Sequence, residues 1–123
     1  MIDTLRELAG ALAADGVTAD AVVARLGGEA RDMGPNVVVE RPALDGATQA
    51  NVLRDGDAPG HLTLELAAPL AADDLRAAFG EPRRVHPDHR GEPVELVFPR
   101  AGDVTLIAAE GAGGVRRVTL RRG

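Results

Sequence analysis

The chain has 123 residues, 45% of them hydrophobic and 27% charged, with a formal net charge of −5; these values describe one small folded domain and exclude a disordered chain. Cys, Ser, Tyr, Trp and Lys are absent and all 14 basic residues are Arg. That excludes serine and cysteine nucleophiles, lysine Schiff bases, tyrosine acids and the lysine-dependent phosphate loop.

Only Phe79 and Phe98 are aromatic, so the core must be built from Val, Leu, Ile and Ala. The Ala-rich, Lys-free usage fits a high-GC genome. No run approaches the roughly 18 apolar residues of a membrane span, and Met1-Ile2-Asp3-Thr4 carries no secretory pattern, so a cytoplasmic location is expected. Arg116, Arg117, Arg121 and Arg122 lie in an acid-free tail after Glu110, leaving residues 1–110 with 10 Arg against 19 acids, a net −9. Such a surface repels nucleic acid and anionic membrane, while the tail attracts an acidic partner.

Thr4 followed by Glu7 reads as a capping box, and Leu5, Leu8, Ala9, Leu12 and Ala13 fall on one face of a helix expected from Thr4 to Ala14. Asp15-Gly16 closes it. Thr18 is the N-cap of a second helix with Ala19, Val22, Val23 and Leu26 on its inner face, ended by Gly27-Gly28. The segment from Glu29 to Pro35 is polar and turn-like. Three strands follow, at Val37 to Arg41, Ala50 to Arg54 and His61 to Leu66. In the last, Leu62, Leu64 and Leu66 alternate with His61, Thr63 and Glu65, the period of a strand with one face buried. Pro69 ends that strand.

A third helix is expected from Ala72 to Phe79, with Asp73 and Asp74 complementing its dipole and Gly80-Glu81-Pro82 as its stop. The stretch to Pro93 reads as a long loop. Strands at Val94 to Phe98, Asp103 to Ala109 and Val115 to Arg121 then form an antiparallel meander, because their connections are too short for parallel crossovers.

The second and third helices align with Gly27 over Gly80, an offset of 80 − 27 = 53 residues. Each precedes a loop and three strands. The expected fold is therefore α+β: a single domain with an extra helix in 1–16 and a duplicated helix-plus-three-strand unit in 17–70 and 71–123, its helices packed on a mainly antiparallel sheet. From Thr18 onward, and most clearly in Asp73-Asp74-Leu75-Arg76-Ala77-Ala78-Phe79-Gly80-Glu81-Pro82, this pattern resembles the repeat unit of the tandem-repeat β-lactamase inhibitor proteins and of small outer-membrane assembly lipoproteins. The resemblance implies a fold used to bind other proteins.

His86, Asp88 and His89 place two imidazoles and a carboxylate within one turn, with His61 as a more distant ligand candidate, but no fourth ligand is evident in this Pro-rich loop. A solvated surface loop accounts for them, and no metal or cofactor is expected. Asp55-x-Asp57-x-x-Gly60 imitates a calcium loop, yet Pro59 stands at a ligand position. It reads as a turn, as does Gly111 to Gly114, which leads into a strand rather than an anion-receiving helix. In the last strand Arg117 and Arg121 share a face with Thr119, opposite Val118 and Leu120. They either guard an exposed sheet edge or form, with Arg116 and Arg122, a site for an acidic protein partner. The sequence favours a non-catalytic protein-binding module of adaptor, inhibitor or immunity type. The alternative is a small-ligand binder or minor acid–base enzyme whose pocket lies between helices and sheet, with the His86 to His89 loop at its mouth.

Overall fold

A computed structural model describes residues 1–86, 94–101 and 104–122. The described elements are helices α1 (Ile2–Ala13), α2 (Ala19–Leu26) and α3 (Ala72–Phe79), and strands β1 (Glu29–Asp32), β2 (Asn36–Glu40), β3 (Ala47–Asp55), β4 (Ala58–Leu70), β5 (Arg83–Val85), β6 (Val94–Ala101), β7 (Val104–Gly111) and β8 (Gly114–Arg122). The strands make one eight-stranded sheet in the order β1-β2-β3-β4-β8-β7-β6-β5, every pair antiparallel. The fold is α+β.

The sheet consists of two four-stranded meanders that meet where β4 pairs with β8. Their inner registers coincide: moving 56 positions along the chain carries Leu62 to Val118 and Val52 to Ala108, and both Val52↔Leu62 and Ala108↔Val118 are cross-strand partners. Each half therefore has four strands after its helix, not the three expected. The additional ones are β1 and β5, the two sheet edges. Every residue of both is exposed, so neither carries the apolar alternation that marks a strand in sequence. Short charged edges such as Glu29–Asp32 also resist unwanted pairing with other chains.

All three helices pack on one side of the sheet, α2 over β2 to β4, α1 over β7 and β8, and α3 over β6. Between the layers Leu5, Leu12 and Leu26 meet Leu62, Leu64, Leu106 and Leu120, all fully buried, with Phe98 the one large aromatic among them. Phe79 reaches it edge-on, with ring centroids 6.3 Å apart. Apolar side chains thus occupy the space between helices and sheet.

Thr18 caps α2 as expected, its Oγ1 accepting from the Ala21 amide at 3.1 Å. The capping box at Thr4 does not form: α1 begins two residues earlier, at Ile2, with Met1 as an N-cap that offers no side-chain bond. Met1 and Ile2 pack against the core, and that burial extends the helix past its polar stop signal. Pro69 does not end its strand either. β4 runs on to Leu70 through an irregularity between Glu65 and Leu70, the type of position where a strand tolerates a residue without an N–H.

Candidate functional site

The side of the sheet away from the helices carries the polar constellation. Because register fixes which residues sit side by side, three lateral rows can be traced across it. The first runs Glu29, Glu40, Gln49, Glu65, Arg117, Ala109, Glu95 and Val85 from edge to edge. The second runs Arg31, Val38, Asn51, Thr63, Thr119, Ile107, Val97 and Arg83. The third holds Asn36, Leu53, His61, Arg121 and Thr105. Between these rows lie the core rows, so one period-2 pattern produces both faces.

The two ends of this open face differ. On the β1 to β4 side the charges are internally matched: Arg31 pairs with Glu40 at 3.2 Å, the Gln49 amide donates to the same Glu40 carboxylate at 2.9 Å, and Arg41 bonds Glu29. At the seam the Arg117 Nε donates to Glu65 Oε1 at 2.6 Å, beside the Thr63 and Thr119 hydroxyls. A cleft of about 500 Å³ lies here, bounded by Gln49, Asn51, Thr63, Glu65, Glu95, Arg117 and Thr119. Within it the buried Asn51 Oδ1 has no hydrogen-bond partner among the described residues. On the β6 to β8 side the floor is apolar, with Val97 and Ile107 adjacent, and a cleft of about 330 Å³ is lined by Arg83, Val97, Pro99, Thr105 and Arg121. A third cleft, of about 430 Å³, lies at the β7–β8 hairpin between Glu65, Arg116 and Arg117.

The C-terminal arginines accordingly separate. Arg117 and Arg121 stand on the open face, Arg116 lies beside Arg117 at the hairpin cleft, and Arg122 pairs with Val104 in the register that faces the helices. β8 is a central strand bonded on both sides, so the reading of its arginines as guards of a sheet edge is corrected. Strand order is a tertiary property that the local pattern of β8 does not contain. Arg83, which shares the cleft with Arg121, was missed for a related reason: it lay in a segment read as loop.

His61 pairs with Arg121 across the seam, which places a cation rather than a second ligand beside it. His86 is exposed, and Asp88 and His89 lie outside the described residues. Among the described residues no group of three His, Cys, Asp or Glu side chains stands close enough to hold a metal ion. The Asp55 to Gly60 segment is a hairpin with Gly56 and Asp57 at its tip, and Gly111 pairs with Gly114 in another.

A separate polar cluster holds the β1–β2 turn. Arg54 clamps Asp32 with two bonds of 3.0 and 3.1 Å, donates to the Gly34 carbonyl and reaches Asp20 on α2 at 3.5 Å. The Arg54 hydrogen bonds, with a further one from the Gly34 amide, hold the Asp32 carboxyl below the usual carboxylate range.

No family model and no curated protein matches the chain. In three dimensions it is similar to the crystal structure of a DUF4309 family protein, YjgB, from Bacillus subtilis subsp. subtilis str. 168, with a TM-score of 0.66 over 99% of this chain and 95% of that one. The two are 13% identical, so the likeness shows a shared fold. No helix among the described residues is long and apolar enough to cross a membrane.

Proposed function

We propose that the chain is a non-catalytic protein-binding module, of adaptor, inhibitor or immunity type, and that its contact surface is the open face of the sheet. One observation carries this reading: the helices cover a single side of an eight-stranded sheet, leaving a broad surface on which apolar residues, arginines and threonines alternate. Protein interfaces are enriched in Arg and centred on patches where apolar and hydrogen-bonding groups mix. The sheet fixes the backbone beneath these groups, which lowers the ordering cost of binding to that of their side chains. A small-ligand or acid–base site between helices and sheet would need space that the leucine core occupies.

The matching registers of β3–β4 and β7–β8, together with α2 and α3 at an offset of 53 and both eight residues long, support an internal duplication, here of a helix-plus-four-strand unit. On this reading the seam between the repeats lies at the centre of the binding face. A cytoplasmic location and an acidic protein partner, rather than nucleic acid or membrane, complete the proposal.

The test is affinity capture from the source organism with two baits, the wild type and Thr63→Trp/Thr119→Trp, which raises two bulky side chains at the centre of the face. The expected result is a partner retained by the wild type and held at least about tenfold more weakly by the variant, a loss of about 1.4 kcal/mol, with both baits folded. A partner held equally by both would overturn the proposal.

A further inference from the structure

We infer that Arg83 and Arg121 form a carboxylate-receiving subsite on the open face, which takes an Asp or Glu side chain of the partner with an apolar residue beside it. This rests on the reading of that face as the contact surface and specifies the chemistry it selects. The two arginines come from opposite ends of one half of the sheet, Arg83 from the β5 edge and Arg121 from the central β8, with β6 and β7 between them. Strands lie about 4.8 Å apart, so the two backbones are about 14 Å apart, yet both side chains line the same cleft of about 330 Å³. An anion between them is approached from two sides.

The floor of the cleft is apolar. Val97 is only 8% exposed although its register places it on the side away from the helices. Pro99 and Thr105 line the cleft as well. A guanidinium beside apolar surface is less screened than one in open water, so a forked bond to a carboxylate is strengthened. Ile107 lies next to Val97 and Val85 is 40% exposed at the edge; together they offer contact for an apolar residue adjoining the acid.

Charge complementarity selects the occupant. Elsewhere on the face the arginines are already matched, Arg31 by Glu40 and Arg117 by Glu65, whereas among the described residues no carboxylate lies within 4.0 Å of Arg83 or Arg121. His61, the cross-strand partner of Arg121, adds no negative charge. With the acids of the β1 to β4 side paired, and with Arg83 and Arg121 outnumbering Glu95 among the described open-face charges of the β6 to β8 side apart from the matched Arg117, that end of the face favours an acidic segment.

The experiment is selection of a random-peptide display library on the full-length protein, followed by titration of the recovered peptides. The wild type should enrich sequences with Asp or Glu next to an aliphatic or aromatic residue, and Arg83→Gln/Arg121→Gln should bind them at least about tenfold more weakly. Arg83→Glu/Arg121→Glu, selected separately, should return Lys or Arg at the same place, a gain of specificity that an unfolded variant cannot give. Peptides that lack an acid, or that bind the Gln variant as tightly as the wild type, overturn the subsite. If those peptides are still lost with Thr63→Trp, the subsite falls and the sheet-face reading stands; if they ignore both changes, both fall. Recovery of no peptide also overturns the inference.

Discussion

Thr63 and Thr119 face each other across the β4–β8 seam with their hydroxyl oxygens 3.1 Å apart, and the 56-position step that maps the β3–β4 register onto that of β7–β8 carries one onto the other. The pair is thus the point where the two halves of the sheet meet, and it lies on the open face. Replacing either by Val keeps the β-branched shape and removes the bond, at an expected cost of about 0.5–1 kcal/mol because the partner hydroxyl retains some access to water. A double-mutant cycle by urea denaturation should give a coupling of about 0.5 kcal/mol. Zero coupling would show that the bond does not hold the seam.

Adjacent residues of β8 should respond in opposite ways. Leu120 is fully buried beneath the helices, and Leu120→Ala should cost about 2–5 kcal/mol through lost burial and the cavity left behind. Arg121→Gln, one residue on and exposed on the open face, should change stability by no more than about 0.5 kcal/mol. Chemical denaturation of the two variants measures both values. Similar losses would mean that the two faces are not divided as described.

Two helix-ending glycines in equivalent sequence regions are under different constraints. Gly28 has φ +71°, and a Cβ there would come within 2.5 Å of the Glu40 carbonyl and 2.6 Å of the Arg41 carbonyl. Gly80 has φ +86°, but among the described residues nothing stands within 4 Å of a Cβ placed there. Gly28→Ala should therefore cost about 2–4 kcal/mol, combining backbone strain with displacement of β2, and Gly80→Ala about 1–2 kcal/mol from the left-handed backbone alone. Thermal melts would rank them, and an equal or reversed order would contradict the close packing of α2 on the end of β2.

Asp32 sets an acid dependence. Its carboxyl is held below the ordinary value by the Arg54 hydrogen bonds and by the Gly34 amide, so the folded state favours the ionised form. A depressed carboxylate contributes stability that is fully present above its unfolded pKa, about 3.9, and is lost as pH falls through the lower folded value. The difference in melting temperature between the wild type and Asp32→Asn should be constant above about pH 5 and shrink below about pH 4. A difference that persists unchanged in acid would mean that Arg54 does not stabilise the ionised Asp32 carboxylate.

Much of this architecture was legible in the residues. Ala72 to Phe79 is helical with the boundaries its pattern predicts, and Leu62, Leu64 and Leu66 face the core as their alternation requires. What escaped was structure without a local period. Glu29–Asp32 and Arg83–Val85 are exposed along their whole length, so their pairing depends on β2 and β6 rather than on their own composition. For the candidate site, Arg117 and Arg121 were readable as one face of a strand. Their relation to Glu65 depends on β8 joining β4 at the centre of the sheet, and the company Arg121 keeps with Arg83 depends on β5 adding to β6, pairings that no short window of sequence expresses.

On the proposed function the open face, and not the helical layer, meets the partner. Methyl NMR of the protein, titrated with the partner captured by the wild-type bait, tests it most directly. Val38, Val97, Ile107, Thr63 and Thr119 all lie on the open face, whereas Ile2 and Val23 pack on the helical layer. The first five should shift or broaden on binding while the latter two do not. Perturbation confined to Ile2 and Val23, with the open-face methyls unmoved, would contradict it.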